Sequence, residues 1–273
     1  MPSDTHTAPR APGPIVTATL NYLQPSAEKP KRYLYDRPGL PEWTGVNDPR
    51  AMPIIDGRGR EDDFTLDRNG FALLKKPSVE RDFKDEAAIT GAYYDECAAL
   101  VRGATGAKRV LVFDHTLRGP DQPREPVMRV HNDYTEKSAP QRVRDLLPDE
   151  ADTLLGQRYV FINVWRPIGH AVIDTPLALC DAASFTDDDL IMTDLVYKDR
   201  VGEIASVRHD SRHRWVFFSR MTPDEVVLIK CHDTARDGRA RLSFHSAFVD
   251  PNAPADAKPR QSIEIRTIAL FGN

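Results

Sequence analysis

The sequence predicts a mainly β protein, a jelly roll or a similar fold of two packed sheets with helices on one side. Three observations favour this class. Eight short segments are rich in β-branched and aromatic residues and are separated by Asp, Pro or Gly turns. Two stretches alone show helical periodicity, and 273 residues suit one all-β domain rather than two.

Proline dominates the first 60 residues, which hold ten of the 22 prolines in the chain. Proline lacks an amide donor and biases the preceding residue to extended backbone. We therefore expect residues 1–60 to form a proline-rich N-terminal arm, irregular in backbone and packed on the body. Residues 61–273 are expected to form a single domain.

Two segments predict helices. From Ser78 to Gly103 apolar residues recur at spacings of three and four, which indicates an amphipathic helix that ends at Gly103. A second helix is expected from Ser138 to about Leu147, with Ser138 as its N-cap.

The remaining regular structure reads as strand. The predicted strands are 109–115, 158–165, 189–197, 203–209, 214–220, 226–231, 242–249 and 262–271.

Composition narrows the function classes. A net charge of -4 gives no polycationic surface, so neither nucleic acid nor an anionic membrane is an expected partner. The N-terminal sequence resembles no signal peptide, and no segment approaches the roughly 18 apolar residues of a membrane span, so we expect a cytoplasmic protein. Cys97, Cys180 and Cys231 are widely spaced and predict neither disulfides nor a zinc knuckle.

The segment Val130-His131-Asn132-Asp133-Tyr134 is the most informative one for function. Residues two apart on a strand share a face, so His131 and Asp133 offer an imidazole and a carboxylate to one metal ion. Two histidines and one carboxylate leave three sites open on Fe(II) for a chelating cosubstrate and O2. Alone, the motif is weak, because an exposed strand with a salt-bridged histidine has the same pattern.

A third ligand must come from a distant strand. His245 ranks first because its apolar neighbours in L-S-F-H-S-A-F-V leave it no solvated face, so it requires a partner. His232, beside turn residues, is the alternative ligand. His209 and His213 lie in the polar stretch R-H-D-S-R-H-R and are expected in a solvated turn, whereas His170 is expected to be structural or exposed.

Downstream of His245, the segment from Arg260 to Arg266 alternates strictly, so Arg260, Ser262, Glu264 and Arg266 share one face. We expect this strand to form a hairpin with the strand of His245. A guanidinium donates two parallel hydrogen bonds to a carboxylate, and a serine hydroxyl can add a third. A dicarboxylate such as 2-oxoglutarate would need donors of this kind.

Two alternatives stay open for these arginines. Arg260 with Ser262 better fits a distal carboxylate, while Arg266 would reach the carboxylate beside the metal or serve the fold. The other alternative is that Arg260 and Arg266 are surface charges paired with Glu264 or Asp250. For Asn163, a role in the pocket and a role as a hydrogen-bonded core amide are equally supported.

Several blocks in a fixed order resemble a known family. They are V-H-N-D-Y, F-I-N-V-W-R-P-I, L-A-L-C-D, H-R-W-V-F-F-S-R-M-T-P-D-E-V-V-L-I-K-C, F-H-S-A-F-V-D-P and P-R-Q-S-I-E-I-R. The chain resembles, over about residues 15–271, the hydroxylase/desaturase family of gibberellin desaturase-like and cephamycin methoxylation-associated proteins. That family is similar to Fe(II)/2-oxoglutarate-dependent dioxygenases.

The resemblance implies a double-stranded β-helix (jelly roll, cupin-like) and the cofactors Fe(II), 2-oxoglutarate and O2. It assigns iron to His131, Asp133 and His245 and places Arg260 and Ser262 at an R-x-S cosubstrate motif. A longer gap after His245 leaves Arg260 or Arg266 open as the main anchor. The implied enzyme is an oxidoreductase that hydroxylates, desaturates or cyclises a small molecule at an unactivated C–H bond, in secondary metabolism.

Two other classes compete with this hypothesis. A cupin-like hydrolase or isomerase would use the same ligands with Zn(II) or Mn(II) to activate water, without needing Arg260 and Ser262. A binding protein with a degenerate metal site is the third class, and the presence of all three candidate ligands disfavours it. The substrate and the oligomeric state are not readable from the sequence.

Overall fold

The computed structural model describes residues 13–120, 122 and 124–272. Within them the chain forms fourteen strands: β1 (Ile15–Leu23), β2 (Lys31–Tyr33), β3 (Asn47–Asp56), β4 (Phe71–Lys75), β5 (Arg109–Arg118), β6 (His131–Asn132), β7 (Tyr159–Pro167), β8 (Leu177–Cys180), β9 (Leu190–Val196), β10 (Val201–Val207), β11 (Trp215–Phe217), β12 (Glu225–Asp233), β13 (His245–Ala247) and β14 (Ser262–Leu270).

These strands form two sheets. A nine-stranded sheet has the order β1-β3-β11-β8-β13-β6-β10-β9-β2, and a five-stranded sheet has the order β4-β12-β7-β14-β5. Successive strands such as β6, β7 and β8 alternate between the sheets, as the double-stranded β-helix requires. The predicted fold class is therefore confirmed.

Three hydrophobic clusters hold the layers together. Strand β7 is buried on both faces: Phe161 and Trp165 join the cluster between the two sheets, and Ile162 joins a second cluster beneath the helices. In the third cluster Leu20 and Ile54 from the N-terminal strands pack with Trp215. This double burial explains why β7 reads as a continuous apolar run rather than as an alternating one.

The helices begin and end at residues other than those predicted. A turn at Glu86–Ala88 and a π-helical turn at Ile89–Tyr93 lead into α1 (Tyr94–Thr105). The helix continues past Gly103 and ends at Gly106, whose φ of 73° is left-handed. The prediction that it ends at Gly103 is wrong, since Gly103 has no such backbone and Gly106 does.

Two further helices pack on the hydrophobic cluster between the two sheets through Ala139, Val143 and Leu154. They are α2 (Ser138–Leu146) and α3 (Ala151–Leu155). Ser138 is the first helical residue rather than the N-cap, and the hydroxyl of Thr135 accepts hydrogen bonds from the amides of Lys137 and Ser138. None of the helices in the described residues is long and apolar enough to cross a membrane.

The N-terminal region differs from the irregular arm that was expected. β1 and β3 are long antiparallel strands of the nine-stranded sheet, and β3 also pairs with β11. Pro49 and Pro53 fit because β11 pairs only with 54–56, so their missing amide donors interrupt no ladder there. Pro2, Pro9 and Pro12 lie outside the described residues, and the division at residue 60 stays a prediction.

The strand of His245 and the strand of the two arginines do not form a hairpin. β13 lies in the nine-stranded sheet between β6 and β8, whereas β14 lies in the five-stranded sheet between β5 and β7. The predicted hairpin is wrong because the chain crosses from one sheet to the other between β13 and β14. The two strands face each other across the interior instead of pairing.

Candidate metal and cosubstrate site

Three candidate metal ligands converge at the nine-stranded sheet. His131 on β6 and His245 on β13 are direct cross-strand partners, with ring centroids 4.4 Å apart. Asp133 follows β6 immediately, and its Oδ1 lies 3.6 Å from His131 Nε2. One ligand atom from each residue lies within 4.8 Å of the other two, so the three form a two-histidine, one-carboxylate face.

The backbone orients both imidazoles. His131 Nδ1 lies 2.8 Å from the carbonyl oxygen of Arg129, and His245 Nδ1 lies 3.4 Å from that of Ser243. A carbonyl oxygen only accepts, so each Nδ1 is the nitrogen that donates to the backbone, and each Nε2 is the nitrogen left for a metal ion. His245 Nε2 is buried with no partner among the described residues. An unpartnered buried lone pair fits a metal ion as its missing partner.

The charges of His131 and Asp133 suit metal binding. Burial, reinforced by the neighbouring His245, lowers the pKa of His131 to about 3. Burial alone would raise the pKa of Asp133, but the Arg266 charge, the two histidines and the Asn163 amide hold that pKa below its usual range. At neutral pH the site therefore presents a neutral imidazole and an ionised carboxylate, the forms that bind metals.

The second oxygen of Asp133 is held by the five-stranded sheet. Asn163 Nδ2 donates to Asp133 Oδ2 over 2.7 Å, and Arg266 Nε lies 3.5 Å from the same oxygen. Asn163 on β7 and Arg266 on β14 are direct cross-strand partners. This arrangement leaves Oδ1 as the oxygen that faces the histidines.

Arg266 has further acidic partners. Its guanidinium donates to Asp114 Oδ2 over 3.0 Å, to Thr116 Oγ1 over 2.9 Å and to Glu264 Oε1 over 2.7 Å. Groups of the protein itself thus occupy these donors. Asn163 and Arg266, both predicted to bind the cosubstrate, contact the carboxylate of Asp133 in this structure.

Arg260 and Ser262 are placed differently. Arg260 is 3% exposed, donates from Nη1 to the carbonyl of Thr175 over 3.0 Å, and lies with its guanidinium carbon 5.2 Å from the centre of the Trp165 ring. Arg260 Nε and Ser262 Oγ are buried and have no partner among the described residues. Burial lowers the pKa of Arg260 to about 10.

Leaving a buried polar group unpaired costs about 1–3 kcal/mol. A ligand carboxylate would provide acceptors for both Arg260 Nε and Ser262 Oγ.

The other histidines lie outside this cluster in the described part of the chain. His232 stacks on Tyr159 with ring centroids 5.8 Å apart, and His170 Nε2 lies 3.1 Å from the carbonyl of Pro259. His213 is not in a solvated turn, as was expected. It is buried beside Asp189, and its Nδ1 lies 3.1 Å from the hydroxyl of Tyr22.

Arg118 is a further residue near the site, and the sequence analysis did not single it out. It is the cross-strand partner of Ser262. The signal was available: in Asp114-His115-Thr116-Leu117-Arg118 the polar residues at 114, 116 and 118 alternate as those of β14 do.

Comparison with known proteins agrees with this geometry. A family model described as an oxidoreductase/YMDC permease-like domain matches residues 20–270. The hydroxylase/desaturase efuI of Hormonema carpetanum is 31% identical over 94% of this chain and 96% of its own length. The chain belongs to the hydroxylase/desaturase family. The hydroxylase/desaturase CTB9 of Cercospora beticola is 34% identical over 81% of this chain and 76% of its own length.

A solved structure supports the same relationship. The iron and alpha-ketoglutarate-dependent endoperoxidase NvfI superposes with a TM-score of 0.86 at 28% identity, over 95% of this chain and 99% of that one. The predicted family resemblance and the predicted class, an oxidoreductase of the dioxygenase type, are therefore confirmed. The roles of the individual site residues stay predictions.

Proposed function

We propose that this oxygenase binds Fe(II) through His131, Asp133 and His245 and binds 2-oxoglutarate through Arg260 and Ser262. The observation that carries the proposal is the convergence of the three ligands, whose donor atoms lie within 4.8 Å of one another. Membership in the family gives the cofactors, which are Fe(II), 2-oxoglutarate and O2. When bound, they supply the oxidising chemistry that attacks an unactivated C–H bond.

The protein contributes position and shielding. The carbonyl groups of Arg129 and Ser243 keep both Nε2 atoms turned to the metal, while Asn163 and Arg266 hold the second carboxylate oxygen of Asp133. Tyr134 and Phe161, stacked with ring centroids 4.2 Å apart, form an apolar wall next to Asp133. Such a wall keeps water from the reacting groups.

The substrate of the proposed reaction is a small molecule of secondary metabolism, which is hydroxylated, desaturated or cyclised. A cytoplasmic location is part of the proposal. Cys97, Cys180 and Cys231 are all free and buried, which is typical of a reducing compartment.

The competing cupin-like hydrolase or isomerase would use the same three ligands. It has no use for the buried, unpartnered donors of Arg260 and Ser262, so these two residues favour the oxygenase.

The test compares two histidines with the same burial. His245 and His232 are each 3% exposed, and only His245 belongs to the ligand cluster. In anaerobic titrations with Fe(II), His245→Gln is expected to weaken iron binding by more than about tenfold, and His232→Gln to leave it unchanged. Adding 2-oxoglutarate to the iron-loaded wild type is expected to give a weak visible charge-transfer band.

Two results would contradict the proposal. Equal iron affinity in wild type and His245→Gln would show that the ligand set is wrong. A wild-type protein that binds iron but gives no band with 2-oxoglutarate would show that the cosubstrate is wrong.

A further inference from the structure

Arg118 lies at the end of β5 and faces the metal site. Three of the cross-strand pairs between β5 and β14 are Arg118 with Ser262, Thr116 with Glu264, and Asp114 with Arg266. Opposite residues in an antiparallel pair point to the same face of the sheet. Since Arg266 reaches Asp133 from this face, the side chain of Arg118 starts on the same side, next to Ser262.

The guanidinium of Arg118 has one protein partner in the part of the chain that the structure describes. Its Nη1 donates to the carbonyl of Glu125 over 2.9 Å, and no described carboxylate forms an ion pair with it. A guanidinium has five N–H donors, so most of those of Arg118 remain available. Arg118 is the cross-strand partner of Ser262, two residues after Arg260, so the side chains of the two arginines start from neighbouring positions. Burial, with a smaller contribution from the charge of Arg118, lowers the pKa of Arg260.

Three of the nearby acidic groups are already paired with a different arginine, and a fourth, Asp174, accepts from the backbone amide of Arg260 rather than from its guanidinium. Arg266 contacts Glu264, Asp114 and Asp133. Arg118 and Arg260 therefore carry like charges, start from neighbouring positions and form no ion pair with a carboxylate among the described residues. Partly buried like charges repel each other unless an anion lies between them. The unpartnered hydroxyl of Ser262 lies at the same place and is a third donor for that anion.

We propose that Arg118 is a second guanidinium of the cosubstrate pocket and binds the distal carboxylate of 2-oxoglutarate together with Arg260 and Ser262. The inference rests on the proposed function and adds a residue from β5 to a pocket otherwise assigned to the start of β14. A carboxylate held by two guanidinium groups accepts forked hydrogen bonds from both.

The experiment uses two ligands that differ in the distal carboxylate. Calorimetric titration of the anaerobic Fe(II)-loaded protein measures the Kd of 2-oxoglutarate and of pyruvate, which keeps the 2-oxo acid and lacks the distal carboxylate. Arg118→Met is expected to weaken 2-oxoglutarate by about 10–100-fold and pyruvate by less than about twofold. Arg118→Lys, which keeps the charge and loses the fork, is expected to lie between wild type and Arg118→Met.

Arg102→Met is the matched control because Arg102 is an exposed arginine on helix α1, outside the strands that line the site. It changes the net charge equally and is expected to leave both Kd values unchanged. A thermal melt of each variant verifies that it is folded.

The outcomes separate this inference from the proposed function. Unchanged 2-oxoglutarate binding in Arg118→Met overturns the inference, and so does equal weakening of both ligands, which would place Arg118 at the metal end or in the fold. If the iron-loaded wild type binds neither ligand, the proposed function fails and the role of Arg118 fails with it.

Discussion

Asp133 contacts side chains from both sheets. Its Oδ1 faces His131 from the end of β6, and its Oδ2 accepts from Asn163 on β7 while Arg266 on β14 lies beside it. A metal-ligating carboxylate that is hydrogen-bonded in this way keeps one orientation and stays ionised. In the proposed site, Asn163 would therefore act on the metal through Asp133 rather than by contact with 2-oxoglutarate.

Removing the Asn163 amide is expected to weaken metal binding. Asn163→Leu keeps a similar volume and loses the 2.7 Å hydrogen bond, so the affinity for Fe(II) or Co(II) should fall by about 10–100-fold in anaerobic titrations. Thr267→Val is the control, because it removes a buried hydrogen bond to the carbonyl of Ile162 on the same two strands. It should lower stability and leave metal affinity intact; similar affinities in both variants would contradict the role given to Asn163.

At the scale of single residues, the sequence pointed to the position of His245 but not to that of His213. His245 was ranked above the other histidines because apolar neighbours leave a polar ring in need of a partner, and the structure places it beside His131 and Asp133. His213 was misjudged because its sequence neighbours are polar. Its partners are Asp189 and Tyr22, and Tyr22 lies on the distant strand β1. Local composition cannot reveal burial that a distant strand creates.

At the scale of elements, alternation predicts which residues share a face but does not predict which strands pair. The common face of Ser262, Glu264 and Arg266 follows from period two, and the register of β14 with β5 agrees with it. The hairpin of β13 with β14 was wrong because adjacency in sequence does not decide pairing in a fold whose strands alternate between two sheets. Arg118 was missed for the same reason, since its partner strand is distant in sequence.

Near the end of helix α1, replacing each of two glycines by alanine is expected to change the stability of the protein in opposite directions. Gly106 has a left-handed φ of 73°, so Gly106→Ala is expected to destabilise the protein by about 1–2 kcal/mol. Gly103 lies inside the helix with open space at its Cβ position, so Gly103→Ala is expected to stabilise it by about 0.5–1 kcal/mol. Urea unfolding measures both, and a destabilising Gly103→Ala would indicate that the helix ends where the sequence analysis placed it.

At the scale of the whole molecule, the N-terminal strands are part of the core. Leu20 and Tyr22 of β1 and Ile54 of β3 pack with Trp215 and Phe244 in the third cluster. The amide of Val130, next to His131, donates to the carbonyl of Asn21. Proline content suggested an irregular arm. The sequence does not show that Pro49 and Pro53 lie on the part of β3 with which β11 does not pair.

Two substitutions on β1 measure this contribution. Leu20 is 0% exposed and Ile15 is 57% exposed, although both lie on the same strand. Leu20→Ala is expected to lower the free energy of unfolding by about 2–5 kcal/mol. Ile15→Ala should change it by less than about 0.5 kcal/mol. Equally small effects in denaturant titrations would mean that β1 is only loosely attached to the body.

The position of Asp133 between the layers has a mechanical consequence. The imidazoles come from one layer, and the groups that fix the carboxylate come from the other, so a bound ion is best held only when the layers are closed on each other. Ion binding and contact between the layers are then coupled equilibria, each of which favours the other. Chelation would make the two layers separate more easily, and a substitution that separates the layers would lower the affinity for the ion.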